Sequence, residues 1–153
     1  MRFLNGVALL AAMSLTGCDE QAKAVPHPIA ERAAEADAAY PSAGVTYLYW
    51  DKGHGYQAAY HGEQHVWLWY PGNTAALRGD WVQEKVAGEY YLCFTYPRSS
   101  YNPVTGVLGG QKECQPQAVL ERHLAAAKTG DVFGLSSGSV PYVLRKGRRP
   151  KGI

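Results

Sequence analysis

The chain has 153 residues, of which 46% are hydrophobic, 12% aromatic and 18% charged, and its formal net charge is +2. A chain of this length forms one domain with a modest core. General disorder is excluded, because the aromatic content supplies enough apolar surface to offset the entropy of ordering. A polytopic membrane protein is excluded as well, because no run of about 18 apolar residues is present.

The first 18 residues are typical of an export signal. Arg2 precedes a short apolar run from Gly6 to Ser14, which is too short for a stable membrane span. The next four residues, Leu15-Thr16-Gly17-Cys18, resemble the lipobox of bacterial lipoproteins. The resemblance implies that residues 1–17 are a lipoprotein signal peptide, cleaved just before a diacylated Cys18. A plain secretory signal is the alternative.

The cysteine count supports this interpretation. Three cysteines leave an odd thiol in an exported protein. If Cys18 is acylated, Cys93 and Cys114 remain, and we predict that they form a disulfide. Such a bridge would close a loop of about 21 residues and stabilise the fold by roughly 3 kcal/mol. Two free buried thiols are the alternative.

Residues 18–43 are interpreted as the lipidated cysteine and an alanine-rich tether. A short helix is predicted from Pro28 to Ala39, with Pro41 just past its end. Its mostly alanine face buries little, so the segment would space the folded domain from the membrane. In the sorting rule known from enteric lipoproteins, an acidic residue after the lipidated cysteine, here Asp19, implies retention in the inner membrane. We therefore expect an acyl-anchored protein that faces the periplasm.

Residues 44–144 are predicted to form a β-rich globular domain. Fourteen of the 58 residues from Gly44 to Tyr101 are aromatic, and β-forming runs alternate with turn residues. Strands joined by short turns are antiparallel and curl readily into a half-barrel. The predicted strands are Val45–Trp50, Gly55–Tyr60, Glu63–Tyr70, Gly79–Val86 and Glu89–Tyr96.

A loop is predicted over residues 97–113, followed by a packed helix that begins at Cys114 or Gln115 and runs to about Lys128. A last strand pair is predicted over residues 131–135 and 140–144. The fold class is therefore mainly β (α+β): a small antiparallel meander or half-barrel with one packed helix and an N-terminal helical tether.

Residues 145–153 form a basic tail, with five positive charges between Arg145 and Lys151. Residues 18–144 carry nine lysines and arginines against thirteen aspartates and glutamates, so the basicity of the chain resides in this tail. A basic tail on a membrane-tethered protein can lie on anionic headgroups, and a solvated tail is the alternative. We expect no nucleic acid partner, because nucleic acid is scarce outside the cytoplasm.

The hairpin around His61 and Gly62 carries an aromatic pattern. A two- or four-residue loop places alternate residues of its two strands on one face, whereas a three-residue loop reverses the parity. A flat aromatic face with a histidine suits a sugar ring, a lipid or another protein, and the alternative is that the rings fill the core. The candidate binding face consists of Tyr56, Tyr60, His65, Trp67 and Trp69.

Candidate catalytic groups are few. His54, His61 and His65 lie close to Asp51 in sequence, but His61 is at a predicted turn and His65 faces a different side of its strand. Because zinc needs three or four converging ligands, we predict no metal and no cofactor. No G-x-S-x-G or S-x-x-K motif is present, and no pattern pairs the carboxylates, so we expect no enzymatic activity. A metal- or carboxylate-dependent envelope hydrolase is the alternative.

Five short segments are spread over most of residues 44–144: 79–81 (GDW), 91–96 (YLCFTY), Cys114, 130–133 (GDVF) and 140–144 (VPYVL). Together they resemble small exported proteins and lipoproteins of alphaproteobacteria, which are mostly domains of unknown function. The resemblance implies a fold and an envelope location, and no catalytic residue. Residues 136–142 (SSGSVPY) resemble the Ser-Gly-x-x-x-Tyr loop of periplasmic and lipid-anchored lysozyme inhibitors, which implies lysozyme inhibition as a further alternative.

The sequence thus predicts a membrane-anchored periplasmic lipoprotein whose domain is a non-enzymatic binding or structural module of the cell envelope. The expected partners are the membrane, through the lipid on Cys18, and an envelope protein or glycan.

Overall fold

The computed structural model describes residues 40–153. The predicted signal peptide, the lipobox with Cys18, and the tether helix Pro28–Ala39 lie outside these residues. Within the described range, no helix is long and apolar enough to cross a membrane.

The described residues form one seven-stranded antiparallel sheet. The strands are β1 (Val45–Asp51), β2 (Gly55–His61), β3 (His65–Trp69), β4 (Leu77–Val86), β5 (Glu89–Thr95), β6 (Lys112–Pro116) and β7 (Leu124–Thr129). Strands β1 to β6 form a meander, and β7 pairs with the free edge of β1, giving the order β6-β5-β4-β3-β2-β1-β7. The prediction of a mainly β, half-barrel fold is confirmed.

The first five strands were predictable because each hairpin is local in sequence. His61 pairs with Val66 around a four-residue loop, and Tyr60 pairs with Trp67, so the predicted parity of this hairpin is confirmed. The β4–β5 turn is Ala87-Gly88, and both residues have a positive φ, 52° and 91°. This backbone matches the twist of the flanking strands in two-residue hairpins.

The predicted long helix is wrong in extent. Only Gln117–Arg122, here α1, is helical, and residues on either side of it belong to β6 and β7. The alanine-rich run Leu124–Thr129 is a good helix former, but β1 would otherwise present an unpaired edge. Pairing with β1 satisfies those backbone groups, and the small Ala126 fits opposite the buried Leu48.

The predicted strand pair over residues 131–135 and 140–144 is also wrong. This segment is irregular, with a 3-10 helix at Leu135–Ser137. The Asp131 carboxylate accepts hydrogen bonds from the backbone N–H groups of Leu135 and Ser136, both at 2.8 Å. A side chain that binds its own following backbone in this way favours a turn over a strand.

The segment from Asp131 to Ile153 covers one face of the sheet, which we call the covered face. Leu48, Ala58 and Trp69 point toward this segment and are at most 1% exposed, as are Leu135 and Leu144 of the segment itself. The basic tail is part of the cover. Pro150 of the tail is buried. The ammonium group of Lys128, in β7, donates a hydrogen bond to the Gly152 carbonyl of the tail at 3.0 Å.

The opposite face we call the pocket face. Its buried residues include Tyr47 and Tyr49 of β1, Ala59 of β2 and Val66 of β3. Tyr40, at the end of the predicted tether, is 6% exposed and packs with them, so it belongs to the folded domain. Residues of β1 and β6 line one cavity although four strands separate them, which shows that the sheet curls toward the pocket face.

Candidate functional site

A cavity of about 410 Å³ lies on the pocket face. Its walls come from β1, β2, β3, β5 and β6, and from Leu120 of α1. A smaller space of about 90 Å³ continues beneath the loop between β5 and β6 and shares several of its walls, including Tyr96 and Asn102. The combined size is typical of small-molecule sites, and the lining mixes apolar and aromatic walls with many polar side chains.

His61 is the most unusual residue that lines the cavity. It is 0% exposed, and neither Nδ1 nor Nε2 has a hydrogen-bond partner in the described protein. The rings of Tyr47, Trp81 and Phe94 surround it edge-on, with centroids 5.4, 5.0 and 6.2 Å away. Burial lowers the pKa of His61 to about 3, so the imidazole is neutral at physiological pH. A neutral imidazole has one N–H donor and one nitrogen acceptor, and both are unpaired within the described residues.

The edge of the cavity carries an acidic and imidazole pair. His54 Nδ1 lies 2.9 Å from Asp51 Oδ2, and the His54 backbone N–H donates to Asp51 Oδ1 at 2.8 Å. Burial raises the pKa of Asp51, but these two hydrogen bonds outweigh it and leave the pKa lowered. On the other side of the ring, Asn102 Nδ2 donates to His54 Nε2 at 3.4 Å. Asp51 is therefore anionic and holds the His54 ring in place.

Tyr96 forms part of the aromatic wall. Its ring lies parallel to that of Phe94, with centroids 6.3 Å apart and planes 8° apart. It also lies on the backbone of Gly79, where an added Cβ would come within 2.6 Å of the ring. Burial, together with the nearby charge of Glu113, raises the pKa of Tyr96, so its hydroxyl stays protonated as a donor. Glycine at residue 79 is thus required for the position of this wall.

Apart from its histidines, the charged side chains that line the cavity are all acidic. Asp51 and Glu113 are its two carboxylates, and neither space is lined by a lysine or an arginine. Within residues 40–153, Glu113 forms no salt bridge. These two carboxylates therefore make the electrostatic potential in the cavity negative at neutral pH.

The predicted binding face lies on the other side of the sheet. Trp69 is fully buried beneath the cover, where Phe133 and Tyr142 meet its ring edge-on at 5.2 and 5.0 Å. Trp69 is thus a core residue, as the alternative interpretation had it. The remaining candidates, Tyr56, Tyr60, His65 and Trp67, are partly exposed next to the cover, and a binding role for them stays a prediction.

The three histidines considered as metal ligands are separated by the structure. His65 is on the covered face, where Arg78 donates to its Nε2 at 2.9 Å and its Nδ1 contacts Asp80 Oδ1 at 2.6 Å. His61 and His54 are on the pocket face. Among residues 40–153, the one group of three potential ligand atoms that converge is Glu84, Cys93 and Cys114, and its sulfurs are joined to each other.

Cys93 and Cys114 form a disulfide, as predicted. They are directly paired residues of β5 and β6, 21 residues apart in sequence. The bridge ties β6, which carries Glu113 and Gln115 to the cavity, to the rest of the sheet.

The basic tail contributes to a separate depression. Arg148, Arg149 and Lys151 line a space of about 290 Å³ together with Tyr142. The Arg149 guanidinium donates to the Ile153 carbonyl at 3.3 Å. These charges are exposed, while Leu144 and Pro150 of the same segment are buried. The charged side chains of the tail are therefore exposed next to residues that pack against the sheet.

The sequence pattern predicts a turn at His61 and gives no sign of the cavity, whereas the structure places His61 at the buried end of β2. One signal was available: the parity that was correctly predicted for the hairpin places His61 on the face of Gln57, Ala59, Val66 and Leu68. A histidine at the end of such a largely apolar face is a candidate for burial. No protein-family model, curated protein or solved structure matches the chain significantly.

Proposed function

We propose that the chain is a lipid-anchored protein of the bacterial cell envelope and that its domain is a non-enzymatic binding module, with the ligand held in the cavity of the pocket face. One observation carries the proposal: a cavity of about 410 Å³ is lined by a fully buried histidine whose two ring nitrogens lack protein partners. Buried polar groups are almost always hydrogen-bonded, so a group left in this state next to a cavity favours a polar ligand atom there.

The binding role is tested with a neutral fluorescent probe, N-phenyl-1-naphthylamine, whose emission rises in apolar surroundings. The full chain should enhance its emission. Ala59→Leu places a larger side chain into the cavity and should abolish the enhancement, because Ala59 lines the cavity and is 4% exposed. Ala75→Leu, at an exposed residue of the β3–β4 loop, is the matched control and should behave as the wild type. Equal enhancement by both variants would contradict binding in this cavity.

The envelope location rests on the lipobox Leu15-Thr16-Gly17-Cys18 and is supported by the Cys93–Cys114 disulfide, because disulfides are typical of oxidising compartments. Acidic Asp19 favours the inner membrane and a periplasmic orientation. Cys18→Ser should release the protein from the membrane fraction or leave an uncleaved precursor, whereas Ser14→Ala, a change in the same leader, should leave fractionation unchanged. A mature, membrane-bound Cys18→Ser protein would refute acylation.

A second candidate is a carboxylate-dependent hydrolase, which the Asp51–His54 pair favours. A carboxylate that orients an imidazole at a cavity is the arrangement of a general base. His54→Ala separates the two functions: hydrolysis of an envelope substrate requires the ring, whereas ligand binding at His61 does not. Lysozyme inhibition stays a third prediction, and a turbidity assay with added lysozyme tests it.

A further inference from the structure

The lining of the cavity presents two kinds of polar group. One is His61: the walls around it are aromatic, and neither nitrogen of its neutral imidazole has a protein partner in the described residues. A neutral imidazole pairs with an uncharged group that has one donor or one acceptor.

The other kind is acidic: Asp51 and Glu113 line the same cavity, and Glu113 is paired in the sheet with Phe94, whose ring packs against His61. These are its two charged side chains apart from the histidines, and no lysine or arginine is among the lining residues. Asp51 is held anionic by His54, and Glu113 has no salt bridge within the described residues. An anionic ligand would be repelled here, and a cationic one would be attracted.

Aromatic rings reinforce the preference for a cation. Tyr96 and Phe94 lie parallel to each other in the wall shared by the large and the small space. Tyr101 adds a third ring from the loop between β5 and β6, next to the apolar Val107 and Leu108. Faces of such rings attract ammonium groups, and their apolar surface suits the body of the ligand.

We infer that the cavity binds an organic cation: a primary amine or a quaternary ammonium with an apolar body. The inference rests on the proposed binding function and specifies the chemical class of the ligand. Two carboxylates with no lysine or arginine beside them, aromatic walls, and a neutral unpartnered imidazole are the three features of the lining that support it.

Three probes with the same body and different charge test the inference: 4-phenylbutylamine, 4-phenylbutan-1-ol and 4-phenylbutanoate. Isothermal titration of the full chain, as purified from cells, measures their dissociation constants, and the NMR signals of the His61 ring report whether each probe reaches the cavity. The amine should bind about fivefold more tightly than the alcohol, which corresponds to ~1 kcal/mol for a partly exposed charge. The carboxylate should bind most weakly.

Glu113→Gln removes one charge from the site and should reduce the preference for the amine over the alcohol. The matched control is Glu84→Gln, whose side chain is on the covered face and pairs with Lys112 at 2.7 Å, and it should keep the wild-type preference. If all three probes move the His61 signals with equal affinity, or if the carboxylate binds best, the cation inference fails and the binding function stands. If no probe moves the His61 signals and the naphthylamine probe is also unaffected, both fail.

Discussion

The aromatic and apolar side chains of the two faces of the sheet are covered in different ways. On the covered face, residues 131–153 close over Leu48, Ala58 and Trp69 and leave them at most 1% exposed. On the pocket face, the curl of the sheet brings Tyr49, Phe94 and Tyr96 around a cavity that they do not fill. One face is packed by its own chain, and the other retains a cavity.

The polar atoms differ between the faces in a way that follows from this packing. The covered face directs its histidine, His65, outward to Asp80 and Arg78. The pocket face buries both ring nitrogens of His61 with no partner, although desolvation of a polar ring costs free energy. The covered face leaves one indole nitrogen, Nε1 of Trp69, in the same state. The comparison teaches that residues 131–153 close the covered face, whereas the pocket face leaves a cavity beside its buried histidine.

Trp69→Ala should have the largest effect on stability. Trp69 is fully buried, and its loss leaves a cavity between Phe133 and Tyr142, so the free energy of unfolding should fall by about 3–5 kcal/mol. Trp50→Ala is the matched control: Trp50 is in β1 and 47% exposed, so the change should cost far less. Urea unfolding followed by far-UV circular dichroism measures both. Similar losses would show that the cover does not pack as described.

Reduction of the disulfide should have the next largest effect. The bond closes a loop of 21 residues, so its loss should lower the free energy of unfolding by about 3 kcal/mol. Because β6 carries Glu113 and Gln115, reduction should also weaken binding of the naphthylamine probe. The double variant Cys93→Ser/Cys114→Ser should be insensitive to reductant, which controls for other effects of the reagent. Equal unfolding curves with and without reductant would contradict the prediction.

The sequence was informative wherever contacts are local. Hairpins β1 to β5 follow from alternation and turn residues, and the Cys93–Cys114 pair follows from counting thiols on the expectation that the chain is exported. The helix that was predicted to reach Lys128 failed because the partner of Leu124–Thr129 is β1, about 80 residues earlier in the chain, and its free edge decides the conformation. Single-segment propensity contains no information about such a distant partner.

The site was less predictable than the fold. The register of its hairpin predicts the face of the sheet on which His61 lies, and the sequence places Asp51 and His54 close together as candidate ligands. What the pattern could not supply is which face is covered by residues 131–153, because that depends on turns made by Asp131 and Gly134. It also could not supply the curl that brings Glu113 of β6 into one cavity with Asp51 of β1.

His61→Leu should stabilise the protein, and increasingly so at acid pH. The folded pKa of His61 is about 3, whereas an unfolded histidine titrates near ~6.5. Below about pH 6.5 the unfolded chain therefore binds a proton that the folded chain does not, and stability falls as the pH decreases toward 3. The advantage of the leucine variant should grow by about 2 kcal/mol between pH 6.5 and pH 5.

Urea unfolding of the wild type and His61→Leu at the two pH values measures this difference. His123→Leu, which removes an exposed histidine, is the control for the loss of a histidine elsewhere in the chain. A constant difference between wild type and His61→Leu would show that water or an ion reaches the His61 ring in the folded state.

The smallest expected effect comes from Val82→Thr and sharpens the limits of the covered face. Val82 is on β4 and is 46% exposed, so the added hydroxyl stays in water. The free energy of unfolding should change by less than about 0.5 kcal/mol.

The same replacement at Val66, which is 0% exposed on the pocket face, buries a hydroxyl and should lower the free energy of unfolding by about 1–3 kcal/mol. Since both valines are strand residues and the two changes are chemically identical, their difference in urea unfolding isolates burial. A cost at Val82 equal to that at Val66 would mean that a further segment or a partner covers β4, and the covered face would then extend across the whole sheet.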